Sequence, residues 1–495
     1  MSYEFKCSYF SSCFYLWPMK KSILTIYLTC LLTVLFGFTN LRALAANGYT
    51  LHITIDHPQD SVLQLCHYYG RPGLVNIDTT IHIKPGAKAS VTLRSNKRLV
   101  GGLYMLLFKN KRSQMEIILN NGDELTLHYD FDKPIETVEI SGTQECKAYV
   151  EYQRFILPFN NQFRQLDEDR KKAKTKADSA RVKEQGKKLN AALEGYRDAY
   201  ADKNPTSFMT KLFRASKYKE IPESIIGNQE KQDAFIREHI WDGFDFNDER
   251  LANTPFLENK LSTYLSVLPQ VPDSINATSD ELLSRMKNAH ELYKVTIDWM
   301  VKSQENVKAR FGDDCFIYVV EKYYLNGKAD WVNDSTRNSY MKKIALLSRN
   351  VIGVQAADFT IKNDKDQTVS LKSIYGAHAY TLLIFWSPTC NHCTDEVPLL
   401  DSAVASLAKD MVIVGVDAHG EGPEWKKWIA EHSFKAKWIH LYDPERKASY
   451  VSDYSVYTTP VLYLLDRKGT IIGKRIMHNN LKETLDDLAS GNKKK

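Results

Sequence analysis

Cysteine is scarce in this chain, eight residues in 495, and three of them (Cys7, Cys13 and Cys30) fall within the first 46. The five that remain are too few for a disulfide-stapled secreted scaffold, which concentrates many cysteines in a short chain. Glycine and proline are sparse too, 23 and 16, against 43% hydrophobic and 25% charged residues. That balance excludes collagen-like, low-complexity and wholly disordered chains. No concentrated basic face appears: the formal net charge is +6, and the first 46 residues carry four Lys/Arg against one Glu. The terminal Lys493-Lys494-Lys495 accounts for the excess that is left, so a nucleic-acid partner is not expected. Nor is there a second long apolar run after Phe38.

The one such run, Ile23 to Phe38, spans 16 residues, follows Lys20-Lys21 and precedes Ala43-Leu44-Ala45-Ala46. A positive stretch, an apolar stretch and an A-x-A site describe a secretory signal peptide over residues 1–46, with Met19 a natural start. The alternative is an uncleaved anchor helix, since such a run falls only slightly short of a membrane span. Lipidation at Cys30 is not expected, because Thr29 precedes it and a strongly apolar run follows. The chain is therefore expected in the periplasm or cell envelope. At about 100–200 residues per domain, the remainder predicts three domains.

Residues 47–142 read as short strands. Tyr49–Ile55, Thr79–Ile83 and Glu124–His128 alternate between apolar and polar, and Pro72-Gly73, Pro85-Gly86 and Asn121-Gly122-Asp123 mark turns. Period-two alternation with regular turns predicts an antiparallel β-sandwich. Residues 143–350 switch to helical spacing in Phe256–Leu268, Leu282–Met300 and Cys315–Tyr324, which predicts an α-helical domain. The charge-dense stretch Asp167–Lys188 reads as a solvated helix face, and Trp299, Met300 and Trp331 as helix-packing residues. Cys66, Cys146 and Cys315 stand alone and read as small buried apolar residues.

From residue 351 to 495 strands and helices alternate. Tyr380–Trp386, Met411–Val416, Lys437–Leu441, Val461–Leu465 and Thr470–Arg475 are strand candidates; Asn391–Lys409, Pro423–His432, Glu445–Tyr450 and Asn480–Ala489 are helix candidates. This pattern predicts an α/β sheet covered on both faces, closed by a hairpin turning at Asp466-Arg467-Lys468-Gly469.

Cys390-Asn391-His392-Cys393 sits where an apolar strand ends and a helix begins. A sulfur at a helix N-terminus meets unpaired N–H groups and the positive end of the dipole, which favour the thiolate, the nucleophilic form. Cys393, one turn along, is placed to resolve a mixed disulfide at Cys390, so a redox disulfide Cys390–Cys393 is expected. His392 between them adds a donating or cationic ring that favours the thiolate and a more oxidising pair. Zinc is not expected, since no second C-x-x-C, C-x-x-H or H-x-x-x-H partner is present. Haem attachment needs His after the second Cys, where Thr394 stands. A peroxidatic reading of Pro388-Thr389-Cys390 wants Thr three places before its Cys, where Ser387 stands.

The segment Phe385-Trp386-Ser387-Pro388-Thr389-Cys390-Asn391-His392-Cys393-Thr394-Asp395-Glu396-Val397-Pro398 resembles the active-site segment of TlpA/ResA-like thioredoxin-fold proteins. Thr459-Pro460 and the strand after it resemble that family's cis-proline strand, and the likeness covers about residues 352–490. The layout ahead of it is similar to multidomain members from Bacteroidota. The resemblance implies a C-terminal thioredoxin fold with Cys390 attacking and Cys393 resolving. It further implies a cis Pro460 that presents Thr459 to substrate and a Glu396 that relays protons to the thiols. Trp386 is expected to pack below the site and, with His392 and Thr459, to belong to the substrate-binding set. An exposed helix residue is the competing reading of Glu396. Thioredoxin itself carries a buried Asp and a Trp where Ile384 and Thr389 stand here, so its proton handling does not transfer.

The expectation is an exported thiol–disulfide oxidoreductase acting as a reductase on exported protein substrates with thiols or disulfides, recharged by a membrane electron donor, with no cofactor and no metal. The alternatives are an oxidase or isomerase of the same chemistry, and a binding or assembly protein with regulatory thiols. Nothing in the sequence fixes an oligomeric state.

Overall fold

The computed structural model describes residues 47–69, 75–109, 114–305, 312–407 and 410–489. The expected leader and the Pro72-Gly73 turn lie outside the described residues. Among those described, no helix is long and apolar enough to cross a membrane.

Among the described residues the first module holds eight strands: β1 (Tyr49–Asp56), β2 (Val62–Tyr68), β3 (Val75–His82), β4 (Lys88–Ser95), β5 (Gly102–Phe108), β6 (Gln114–Leu119), β7 (Glu124–Asp130) and β8 (Glu139–Ser141). They form two four-stranded sheets, β4-β1-β7-β8 and β3-β2-β5-β6. In β1 every second residue is buried, Leu51, Ile53 and Ile55 among them, as its alternation requires. One pair corrects the antiparallel expectation: β1 and β7 run parallel, Leu51 level with Leu125. Strands so far apart in sequence are free of the hairpin connection that forces antiparallel pairing.

The inner faces of the two sheets share one core, while Leu103 of β5 and Ile118 of β6 belong to the core of the helical module. That second sheet is thus covered on its outer face. Helices α1 (Gln144–Lys172) and α2 (Lys176–Lys203) start at Thr143 and Thr175, whose side chains accept from Cys146 N and Asp178 N. Val182 is the one fully buried side chain of α2, in keeping with a solvated charged face.

The continuous helix expected over Leu282–Met300 is two helices, α3 (Pro272–Arg285) and α4 (His290–Glu305). Leu282, Met286, Ala289 and Leu292 are all buried at helical spacing across the break, so the apolar period conceals the turn. Next come α5 (Gly312–Val319), which runs on into a π-helical turn at Val320–Leu325, and α6 (Asp334–Leu347). Met300 is buried, and Trp299 and Trp331 pack against the same core.

The C-terminal module is a seven-stranded sheet ordered β10-β9-β13-β12-β11-β14-β15. Its strands are β9 (Thr360–Asn363), β10 (Thr368–Ser370), β11 (Tyr380–Trp386), β12 (Met411–Asp417), β13 (Trp438–Tyr442), β14 (Val461–Asp466) and β15 (Ile471–Lys474). β11, β12 and β13 are parallel, while β14 runs antiparallel to β11 and to β15. Alternate residues of β11 feed two cores: Leu383 and Phe385 one, Leu382, Ile384 and Trp386 the other. Helices α7 (Asn391–Ser406), α8 (Gly422–Glu431) and α9 (Leu481–Ala489) cover the sheet, giving the thioredoxin fold that the motif implied. Gly469 takes φ 81° in the β14–β15 turn, a conformation glycine reaches without steric cost.

Two expectations need correcting. Glu445–Tyr450 is a turn: Asp443 accepts from Ala448 N at 2.8 Å, Arg446 sits at φ 51°, and only Tyr450–Asp453 makes one helical turn. The β9–β10 hairpin, too short to show a period, was not anticipated.

Candidate active site

β11 is buried from Thr381 to Trp386 and delivers the chain to Ser387-Pro388-Thr389, a turn in which Cys390 N donates to Ser387 O at 3.2 Å. Cys390 is the N-cap of α7, and its carbonyl accepts from Cys393 N at 2.9 Å and Thr394 N at 3.0 Å. Its sulfur therefore faces the end of the helix where N–H groups lack intrahelical partners. Cys390 is half-buried and Cys393 fully buried, and both are free thiols.

Burial works to raise the Cys390 thiol. The Cys393 thiol, Thr459 and the backbone N–H groups of Cys393 and His392 act against it and bring the pKa below the ordinary thiol value. Burial, and then the neighbouring Cys390, push the Cys393 thiol up to about 12. One sulfur is thus the more easily ionised of the two and partly exposed, while its partner is held protonated and sealed.

The Thr459–Pro460 peptide bond is cis, and Cys390 Sγ donates to Thr459 O at 3.5 Å. The loop before β14 therefore lies directly against the reactive sulfur. Of the expected residues, Cys390, Cys393, Thr459 and Pro460 come together. Glu396 lies on the same helix, 5% exposed, which overturns the exposed reading. Its carboxylate accepts from His478 N at 2.6 Å and His478 Nδ1 at 2.8 Å. Trp386 is completely buried beneath the cysteines, against Trp428 and Trp425, so it supports the site from below and is removed from the substrate-binding set. His392 is exposed, and its backbone N–H, rather than its ring, assists Cys390.

The sequence did not reveal Glu421. In the loop between β12 and α8, its carboxylate accepts from Ser387 Oγ at 2.5 Å and Thr389 Oγ1 at 2.6 Å, clamping the two hydroxyl residues that lead into Cys390. Asp417 at the end of β12 shapes that loop by accepting from His419, Gly420 and Gly422 N–H groups. Burial raises the Asp417 carboxyl despite these donors. A hydroxyl pair before the cysteine was the one available signal.

A cleft of about 910 Å³ opens beside this site, lined by His392, Leu399, Thr459 and Pro460 and, from the helical module, by Asp313, Leu347 and Asn350. Buried Lys474 of β15 donates to Asp313 and, at 2.9 Å, to Asn350 Oδ1, and Arg475 donates to Asp313 at 3.0 Å. Burial opposes ionisation of Asp313, but the two cations hold its carboxyl below the usual range.

Residues 352–474 match the AhpC/TSA family, and residues 170–350 match a domain of unknown function, DUF5106. The chain is 29% identical over 120 residues to the thioredoxin-like protein YneN of Bacillus subtilis, covering 24% of this chain and 68% of that one. Among solved structures, a thioredoxin-like protein from Bacteroides caccae is 20% identical, with 55% of this chain and 97% of that one covered at a TM-score of 0.43. A domain of a possible thiol-disulfide isomerase from Cytophaga hutchinsonii is 29% identical, with 29% and 97% covered at a TM-score of 0.26.

Proposed function

Residues 352–474 are an AhpC/TSA-type thioredoxin-like domain, and from that premise we propose that the chain is an exported thiol–disulfide oxidoreductase that reduces disulfides in protein substrates through Cys390 and Cys393. The observation that carries this reading is the contrast between the two sulfurs at the start of α7: Cys390 half-buried with a lowered pKa, Cys393 buried with a thiol near 12. A nucleophile has to be ionised before contact, and a resolving thiol has to stay protonated until a mixed disulfide forms beside it.

The Cys390 thiolate attacks one sulfur of a substrate disulfide; the S–S bond breaks, and the departing thiolate takes a proton from solvent. Cys393 then loses its proton and attacks the Cys390 sulfur, expelling the second substrate thiol. Two electrons pass to the substrate, and the protein is left with a Cys390–Cys393 disulfide. A dithiol donor at the membrane restores the pair by the same exchange in reverse. Glu396, buried one turn past Cys393 and steadied by His478, is the carboxylate proposed to take the Cys393 proton. The reducing direction is favoured because the groups that hold the Cys390 thiol down are thiol, hydroxyl and backbone donors. An oxidant needs a more strongly stabilised reduced form.

Equilibration of the full chain against glutathione tests the direction. A potential near or below about −270 mV is expected, whereas one near about −120 mV would refute the reductase assignment.

A further inference from the structure

The helical module supplies no group to the exchange chemistry proposed above, yet it borders the cleft that holds the loop against the reactive sulfur. Asp313 of α5, Leu347 at the end of α6, and Asn350 line the same cleft as Thr459 and Pro460, and Thr459 O lies 3.5 Å from Cys390 Sγ. The wall is fixed in place. Lys474 is 4% exposed and bridges Asp313 and Asn350, while Asn350 Nδ2 donates to Asp453 O at 3.1 Å in the segment leading to Thr459. Moving the helical module away would strand a buried charge, so the cleft is a standing feature.

Three properties indicate its occupant. At about 910 Å³ it lies at the upper end of the range of about 300–1,000 Å³ that small-molecule sites span, and it runs from Thr459 and Pro460 to the helical module. Among the described residues nothing accepts from the Thr459 N–H, so the residue whose carbonyl meets Cys390 Sγ also offers a backbone donor that an extended chain can pair with. The lining also carries aliphatic side chains from both modules, Leu347 from one and Leu399, 47% exposed, from the other.

We propose that the helical module forms the far wall of a polypeptide-binding cleft: the cysteine-flanking segment of a disulfide-bearing protein lies extended along Thr459, with an aliphatic side chain held between Leu347 and Leu399. This assignment rests on the thiol–disulfide exchange reading. It makes residues 313–350 determinants of which substrates are accepted, with no role in the bond-breaking itself.

The test uses the full-length Cys393→Ala variant and a short peptide whose single cysteine is activated as a mixed disulfide with thionitrobenzoate. The Cys390 thiolate attacks the peptide sulfur and thionitrobenzoate leaves as the thiolate, giving a stable Cys390–peptide disulfide. No release of thionitrobenzoate would overturn the exchange reading itself. Given release, amide exchange across 341–350 is expected to slow by about tenfold or more relative to the adduct with glutathione. Unchanged exchange there overturns the cleft while leaving the exchange chemistry standing. In Leu347→Glu, and in Leu399→Glu whose side chain is already largely solvated, the ratio of insulin reduction to reduction of the free thionitrobenzoate disulfide is expected to fall by about tenfold. An unaltered ratio in both variants also overturns the assignment.

Discussion

Replacing Asp313 with alanine removes the carboxylate that bonds both Lys474 and Arg475 across the boundary between the helical and thioredoxin-like modules. Lys474 would keep its bond to Asn350 Oδ1, but its ammonium, 5% exposed at the side chain, would lose the carboxylate it bonds and keep only the more distant charge of Asp314. Deleting one partner of a buried ion pair typically costs about 3–5 kcal/mol, because the other charge is left uncompensated. Arg475 is 36% exposed at the side chain and can turn to water, so the lower end, about 3 kcal/mol, is the expected loss. With a urea slope of about 1–3 kcal/mol/M, the transition that contains this boundary moves down by about 1–3 M. Urea unfolding of the full chain, followed by tryptophan fluorescence, reads the shift. The double variant Asp313→Leu/Lys474→Met is expected to recover most of the loss, since an apolar pair of similar volume carries no desolvation penalty. A midpoint within about 0.3 M of the native value for Asp313→Ala would refute the idea that this pair joins the modules.

Two further expectations concern the reactive centre. The rate of iodoacetamide modification of Cys390 follows its thiolate, which is present above the pKa and lost as pH falls through it. The profile should have its midpoint below that of a free cysteine, and it should move upward in Cys393→Ala, which lacks a supporting thiol; an unmoved midpoint would show that Cys393 contributes nothing. Glu421→Ala deprives Ser387 and Thr389 of their shared charged acceptor. About 2 kcal/mol of local stability should go with it, measured as faster amide exchange over residues 387–390, and native-like exchange would count against the clamp.

The C-terminal module was legible because its determinants are local. A buried strand, a cysteine pair at a helix start and a Thr-Pro before the next strand are each readable in a few adjacent residues, and the structure assembles Cys390, Cys393, Thr459 and Pro460 in one place. What escaped reading is what depends on distance along the chain. Asp313 and Lys474 are 161 positions apart, and neither has a neighbour that announces the other. Glu421 looked like any surface glutamate until two hydroxyls 32 and 34 residues earlier were seen to point at it. Trp386 packs below the site as its place at the end of β11 led one to expect, but both faces of that strand are buried, so its ring stays out of reach of a substrate. The break between α3 and α4 was hidden because apolar spacing persists through it.

Cys66, Cys146 and Cys315 were described as solitary buried residues. Burial pushes their thiols up to about 11, 12 and 12 respectively, and none is exposed to solvent. A molecule that trades disulfides for its living runs the danger of scrambling its own. Among the described residues the bystander sulfurs are kept uncharged and out of reach, so in the proposed exchange neither a substrate disulfide nor a Cys390–Cys393 bridge would meet a competing nucleophile there.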